Sequence, residues 1–384
     1  MQLTQINVQG LYGLHNYDIH FSEDECLKII HAPNGYGKTT VLKLVNAILK
    51  GDLIEIRKVP FKSFAIIINE GDLKIVVEKE EETLYYRIKE ITQKLEYCMT
   101  SSQNLPEGLE EKLQKIQQEM PIYFIDANRL WIERAKEQTE EKVVTPTVLV
   151  YAKELREWMQ EALAESNYCG QELDRSFPYR LMKCLEDTEI SCLTEEEIQK
   201  GLNRLEDKRR MLEGAGLYSH LKSESIQNIG PLDDKMKMVL SLYIEDSNKK
   251  LQALEGLAAR INLLCNLINK RFSYKVMEVN MREGFVFKVP TNEVLKADKL
   301  SSGEQNELIL MFQLLFKCPA QAIILMDEPE ISLHIAWQQS FLEDMEIIAE
   351  LSKIRMMIAT HSPDIINGRW DLTSGLEEEV CDPI

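Results

Sequence analysis

Apolar and polar positions alternate through the opening of the chain, and "QLTQINVQG", "NYDIHF" and "CLKIIHA" read as two or three strands over residues 2–31. The period then lengthens. Val41, Leu42, Leu44, Val45, Ile48 and Leu49 form one broad helical face across 38–50, and Gly51 is placed to stop the helix. Alternation returns over 61–91 in "FKSFAIIIN", "LKIVVEKE" and "TLYYRIKE", whose separators "EGD" and "EE" predict an antiparallel meander. Beyond residue 106 helical spacing dominates. "PEGLEEKLQKIQQEM" predicts a helix, "PIYFIDANRL" a short buried strand, and 146–215 reads almost wholly helical and charged. The longest helix is expected from Asp233 to Lys270, where Leu251, Leu254, Leu257, Ile261, Leu264 and Ile268 make an apolar seam. Such a seam fits a helix packed inside its own domain, or a short antiparallel coiled arm or dimer contact. Strands are expected again at "FSYKVMEVN" and "GFVFKVP", then a helix after "LSSGEQN", the strand "AIILMDEP", a helix near 335–351 and the strand "IRMMIAT".

Composition narrows the classes. A chain of 384 residues, 44% hydrophobic, can bury a substantial core. Its 63 acidic against 45 basic residues give a formal charge of -18, which weighs against unaided, sequence-independent grip on DNA and towards protein partners. The eight cysteines are scattered without a C-x-x-C pair, so neither a zinc ribbon nor a disulfide framework is expected, and reduced thiols in the cytoplasm are. The first residues lack a basic head and an apolar core. No run approaches the length of a membrane span, so neither a signal peptide nor a membrane segment is expected.

Four short stretches carry chemistry. Ala32-Pro33-Asn34-Gly35-Tyr36-Gly37-Lys38-Thr39 has the spacing of a Walker A loop, with Ala32 in the first place, and lies between a predicted strand and a predicted helix. Gly35 and Gly37 allow the backbone to turn its N–H groups onto phosphate oxygens, and the helix start adds partial positive charge. Lys38 reaches the terminal phosphates, the Thr39 hydroxyl can ligate Mg²⁺, and Thr40 completes the expected ATP-binding set. In "AIILMDEPE" an apolar strand delivers Asp327 and Glu328 to its carboxyl end, where open α/β sheets bind ligands. Asp327 is expected to hold Mg²⁺ through water, and Glu328 to orient and polarise the attacking water. "LSSGEQN" has two readings: Ser301 with Glu304 is a capping box, and Ser301, Ser302 and Gly303 make a helix start able to clasp a γ-phosphate. In "ATHSPDII" a strand ends at His361, a structural histidine or a γ-phosphate contact.

In this order the four motifs resemble those of ABC-type ATPase heads of the RecF, SMC and overcoming-lysogenization-defect (OLD) nuclease group. "LSSGEQ" is similar to that group's signature motif, "DEPEISLH" to its joined Walker B and D-loop, "ATHSPDII" to its switch histidine, and "VQGLYGLHNYDIHF" to its first hairpin. The likeness spans roughly residues 1–60 and 272–368. It implies a mixed α/β head with a P-loop core and antiparallel meander: an N-terminal ATPase lobe over 1–105, a mainly helical insertion over 106–271, and a C-terminal ATPase lobe over 272–384. It implies ATP and Mg²⁺ as cofactors, slow turnover, and a homodimer, within a larger homo-oligomer, in which Ser301 and Gly303 of one copy close over ATP held by the other. Three features depart from the group. His334 stands where relatives carry a D-loop aspartate, no Q-loop glutamine stands out (Asn128 and Arg129 lie near its place), and Tyr12 is the one aromatic offered for adenine. The sequence ends soon after His361, short of the TOPRIM domain of OLD nucleases. It therefore resembles the ATPase subunits of two-gene anti-phage systems, the AriA type of PARIS above all and the PtuA type of Septu, which work with a separate TOPRIM or HNH nuclease. That likeness implies a sensor and scaffold holding a nuclease effector and answering a phage-encoded trigger protein. The alternative is a RecF-like or SMC-like DNA-repair ATPase clamping DNA, for which Lys208, Arg209 and Arg210 are the basic run.

Overall fold

A computed structural model describes residues 1–22, 25–80, 83–90, 95–99, 105–125, 130–136, 139–186, 193–218, 232–331 and 333–376. Asn128 and Arg129 lie outside the described residues. Contacts divide the chain into two compact units, Met1–Arg129 with Gln313–Ile384, and Leu130–Phe312.

The first unit holds two sheets. One is a six-stranded antiparallel meander, in spatial order His15–His20, Leu3–Leu11, Ser63–Ile68, Leu73–Glu80, Thr83–Glu90 and Leu95–Met99. Its register lines up two apolar rows, Ile6–Ile66–Ile75–Ile88 and Val8–Phe64–Val77–Tyr86, all buried on one face. The other sheet is parallel, in the order Thr373–Gly375, Leu27–His31, Arg355–Thr360, Ile323–Asp327 and Ile122–Ile125. Its central strands are buried nearly throughout, which is why they read as continuous apolar runs rather than alternation. Helix Lys38–Lys50 shares a single core with both sheets: Val41, Leu44, Val45 and Ile48 join the meander rows and Ile30, Leu325, Met357 and Ala359. A helix sandwiched in this way needs apolar residues on most of its surface, and this one buries seven of them. Gly51, in the left-handed conformation at φ 71°, ends it by donating to the Ile48 carbonyl, while Asp52 N–H donates to Ala47 O.

The second unit is mainly helical. Its longest helix is Thr147–Glu186, of 40 residues, and not the segment beginning at Asp233, which forms the helix Asp234–Arg271 of 38. Asp233 caps that helix by accepting the Met236 N–H. Leu251, Leu254, Ile261, Leu264 and Ile268 of the expected seam are buried and Leu257 is half-buried. The helix packs along both Thr147–Glu186 and Glu195–Gly214, so the seam is consumed within the unit and makes no separate coiled arm. Arg180 grips Asp246 with two hydrogen bonds of 2.6 and 2.7 Å across the first of these contacts. Lys208 binds Asn248 and Glu255 across the second, and Arg209 binds Tyr243 and Glu206. Of the expected basic run, Arg210 is the exposed member, beside Asp207. A hairpin, Trp131–Lys136 with Thr139–Pro146, and a small sheet, Val276–Asn280, Gly284–Lys288 and Val294–Leu295, complete the unit with helix Ser302–Phe312. No helix among the described residues is long and apolar enough to cross a membrane.

Two charge pairs fasten that last helix. Glu307, wholly buried, is paired with Arg271 at the end of the long helix, and Lys275 holds both carboxylate oxygens of Glu304 at 2.8 and 2.7 Å. Removing one member of a buried pair leaves the other charge without compensation. Glu307→Ala is therefore expected to cost about 3–5 kcal/mol of stability, read as a lowered denaturant midpoint with an unchanged slope.

Candidate functional site

The site grows from the register of the parallel sheet. His31 pairs with Thr360 and Asp327 with Ala359, so three neighbouring strands end at one level. Each delivers its loop to the same edge: 32–37 after the first, 361–362 after the second, Glu328 after the third.

The loop Ala32–Gly37 wraps as a phosphate cradle must. Gly35 and Gly37 have φ of 95° and 82°, while Ala32 is buried and is not among the residues with positive φ, so the departure from glycine at the first place is accommodated. Lys38, only 5% exposed, donates from Nζ to the Ala32 and Pro33 carbonyls at 2.7 and 3.1 Å, bridging its own loop. The Thr39 hydroxyl donates to Asp327 Oδ1 at 2.8 Å across 288 residues of sequence. A hydroxyl and a carboxylate so joined are the hard oxygen donors that Mg²⁺ takes, and the arrangement fits that ion. Thr40 shares a hydrogen bond of 2.8 Å with the Tyr12 phenol. Tyr12, Asn34, Gly35, Gly37, Lys38, Thr39, Thr40 and Glu328 line one cavity of about 300 Å³.

Glu328 adopts φ 42°, uncommon for a residue with a side chain, and is held there by its N–H donating to Ala359 O at 2.9 Å. Its carboxylate lies 3.4 Å from His361 Nδ1. A residue that sequence reasoning left out stands beside them. Glu330, 8% exposed, accepts from the Thr360 hydroxyl at 2.6 Å and from the His361 N–H at 3.1 Å, and its Oε1 is 3.2 Å from His361 Nδ1. A second acid two places after Glu328 was visible in the sequence, but nothing there marked it as buried. His334, the departure in the D-loop, caps helix Ile335–Gln338 by accepting the Ala336 N–H at its Nδ1.

Ser301, Ser302 and Gly303 belong to the second unit, where they open helix Ser302–Phe312 with both serines exposed. The capping box is formed: Glu304 N–H donates to Ser301 Oγ at 3.3 Å and Ser301 N–H to Glu304 Oε2 at 2.8 Å. Burial would raise the Glu304 pKa, but hydrogen bonds from Lys275 and Ser301 outweigh it and hold the carboxyl below its ordinary value.

A family model described as "AAA ATPase domain" matches residues 1–366. The chain belongs to this family. As an AAA ATPase-domain protein it is an ATPase, and ATP is its substrate. No curated protein matches it. Among solved structures it is similar to the Smc head domain with an extended coiled coil from Pyrococcus furiosus, at 14% identity and TM-score 0.39, over 95% of this chain and 91% of that one. It is similar also to the SMC head domain from Thermotoga maritima, at 12% identity and TM-score 0.36, over 98% and 94%. A third is RecF-ATP of the RecFOR pathway, at 12% identity and TM-score 0.30, over 94% and 92%.

Two outcomes follow for this AAA ATPase domain. A Cβ on Gly37 would lie 2.9 Å from Leu11 Cδ2, a side-chain tip that can yield, whereas the left-handed backbone cannot. Gly37→Ala is expected to cost about 1–2 kcal/mol in the nucleotide-free protein, measured by urea unfolding. Glu304 has a depressed folded pKa, so its contribution is present above its ordinary value of 4.5 and is lost as pH falls through the folded value. Stability of wild type should fall more steeply than that of Glu304→Gln over about pH 6 to 3, again by urea midpoint.

Proposed function

We propose that this ATPase is a nucleotide-gated switch of the ABC type, closed by ATP as a homodimer and reset by hydrolysis. The observation that carries the reading is that the cradle and Glu328 line one cavity, with Asp327 hydrogen-bonded to Thr39 and His361 3.4 Å from Glu328. In this reading Asn34, Gly35, Gly37, Lys38, Thr39 and Thr40 bind the triphosphate. Thr39 and Asp327 would hold Mg²⁺, whose charge would offset that of the phosphate oxygens. Glu328 orients water and takes its proton, and His361 senses the γ-phosphate. Ser301 and Ser302 are exposed at a helix start where Ser301 and Glu304 form the capping box, and the family resemblance of "LSSGEQ" implies that they and Gly303 meet ATP held by a second copy.

The separate likeness to the ATPase subunits of two-gene anti-phage systems suggests its biological role, as sensor and scaffold that holds a TOPRIM or HNH nuclease until a phage protein alters a larger homo-oligomer. The charge of -18 supports a protein partner over DNA. So does the pairing of Lys208 and Arg209 with neighbouring helices, which takes two cations out of the basic run that a DNA clamp would use.

Sedimentation with a non-hydrolysable ATP analogue is expected to show a larger assembly for wild type than for Lys38→Ala, and Glu328→Gln should keep the larger form in ATP itself. Mixing Lys38→Ala with Ser301→Arg, each inactive alone, should restore turnover, because one intact composite site forms in each mixed dimer. Absence of any restoration, with both proteins folded, would remove the shared-site reading. A steep salt dependence of duplex binding in the presence of ATP would favour the DNA clamp instead.

A further inference from the structure

We infer that Glu330 is a positioning residue for ATP hydrolysis, a buried carboxylate that fixes the tautomer and orientation of His361. The inference rests on the reading of His361 as the γ-phosphate sensor and adds to it the device that sets the sensor.

One oxygen of Glu330 does three things. Oε1 accepts the Thr360 hydroxyl at 2.6 Å and the His361 backbone N–H at 3.1 Å, and lies 3.2 Å from His361 Nδ1. The first two contacts pin the end of strand Arg355–Thr360 and the start of the loop that carries the ring. Thr360 in turn accepts the Ser362 N–H at 3.0 Å, so the turn on both sides of His361 hangs from this carboxylate. The third contact brings a carboxylate oxygen to 3.2 Å from the ring. An anionic oxygen at that distance favours a hydrogen on Nδ1, which leaves Nε2 to meet a substrate oxygen.

Burial argues that this third contact is why the residue is an acid. The Glu330 side chain is 7% exposed while that of His361 is 45% exposed. Placing a carboxylate where water hardly reaches is costly unless charge or hydrogen bonds compensate. A hydroxyl and a backbone N–H could be satisfied by a neutral amide. What only the carboxylate adds is an anionic partner for the ring. Glu328, 3.4 Å from the same Nδ1, competes for the same hydrogen. With Glu330 holding it, the Glu328 carboxylate is released to act on water at the cavity it lines.

A double-mutant cycle on ATP turnover tests this, with Glu330→Ala, His361→Ala and the pair. Glu330→Ala is expected to lower kcat by about 10–100-fold, the size usual for a group that orients an active histidine, with KM within about twofold. The double variant should be no slower than His361→Ala alone, because Glu330 acts through the ring. Losses that multiply, or an unchanged kcat in Glu330→Ala, would overturn the inference. Glu330→Gln, which keeps an acceptor and the side-chain shape, should retain more activity than Glu330→Ala and show the same coupling. It carries the cycle if the alanine variant does not fold. ¹⁵N spectra of the wild-type imidazole, assigned against His361→Ala above the ring's titration, need no Glu330 variant. An Nδ1–H ring is expected, and an Nε2–H ring overturns the proposal. His361→Ala turning over at the wild-type rate would instead remove the reading of His361 itself, a result distinct from all of these.

Discussion

The levelling of three parallel strand ends is the constraint on which the rest of the site depends. His31 opposite Thr360 and Asp327 opposite Ala359 set the phosphate loop, the histidine and the acidic pair at one edge, although they come from opposite ends of the sequence. A slip of one residue in strand Ile323–Asp327 would present Glu328 to Thr39 in place of Asp327 and move every side chain of that strand to the other face. The apolar runs prevent it, since both faces are buried and a slip would carry Asp327 into the core.

That edge is useful only because the phosphate loop is held rigid from a second side. The first hairpin of the meander supplies the clamp. Leu11 lies against Gly37, Tyr12 is hydrogen-bonded to Thr40, and the Tyr17 phenol donates to Tyr36 O at 2.6 Å. Three contacts from strands paired far from the parallel sheet fix the turn of a loop whose glycines would otherwise leave it free. The meander therefore holds the loop as well as its own strands, and its apolar rows Ile6–Ile66–Ile75–Ile88 and Val8–Phe64–Val77–Tyr86 carry that clamp on the same core as the helix that follows the loop.

Periodicity made the strands, the helix Lys38–Lys50 and the meander legible, because each is decided by local spacing and burial. Elements that owe their existence to distant partners were not. Thr373–Gly375 is three residues long and is a strand only by pairing with Ile29–His31. Strands Trp131–Lys136 and Thr139–Pro146 pair with each other and were hidden for a different reason, since their many Glu and Lys residues favour helix. The leucine seam of Asp234–Arg271 was visible, whereas the choice between internal and external partners was not, since both need the same spacing. At the site, the loop, Asp327, Glu328 and His361 were legible as motifs. The left-handed backbone of Glu328 and the burial of Glu330 were not, because both are set by strand Arg355–Thr360 rather than by neighbours in sequence.

The helical unit is fastened by charge as well as by apolar packing. Helix Ser302–Phe312 begins with Ser301–Gly303 and is tied to the end of Asp234–Arg271 by Arg271–Glu307, wholly out of water, and to the following segment by Lys275–Glu304. Removing one partner of a buried ion pair leaves an uncompensated charge, so this contact tolerates substitution poorly. The long helix is in turn locked to its neighbours by Arg180–Asp246 and Lys208–Glu255. Apolar spacing alone leaves the choice of helix partner open, and oppositely charged residues meeting across the contacts narrow it.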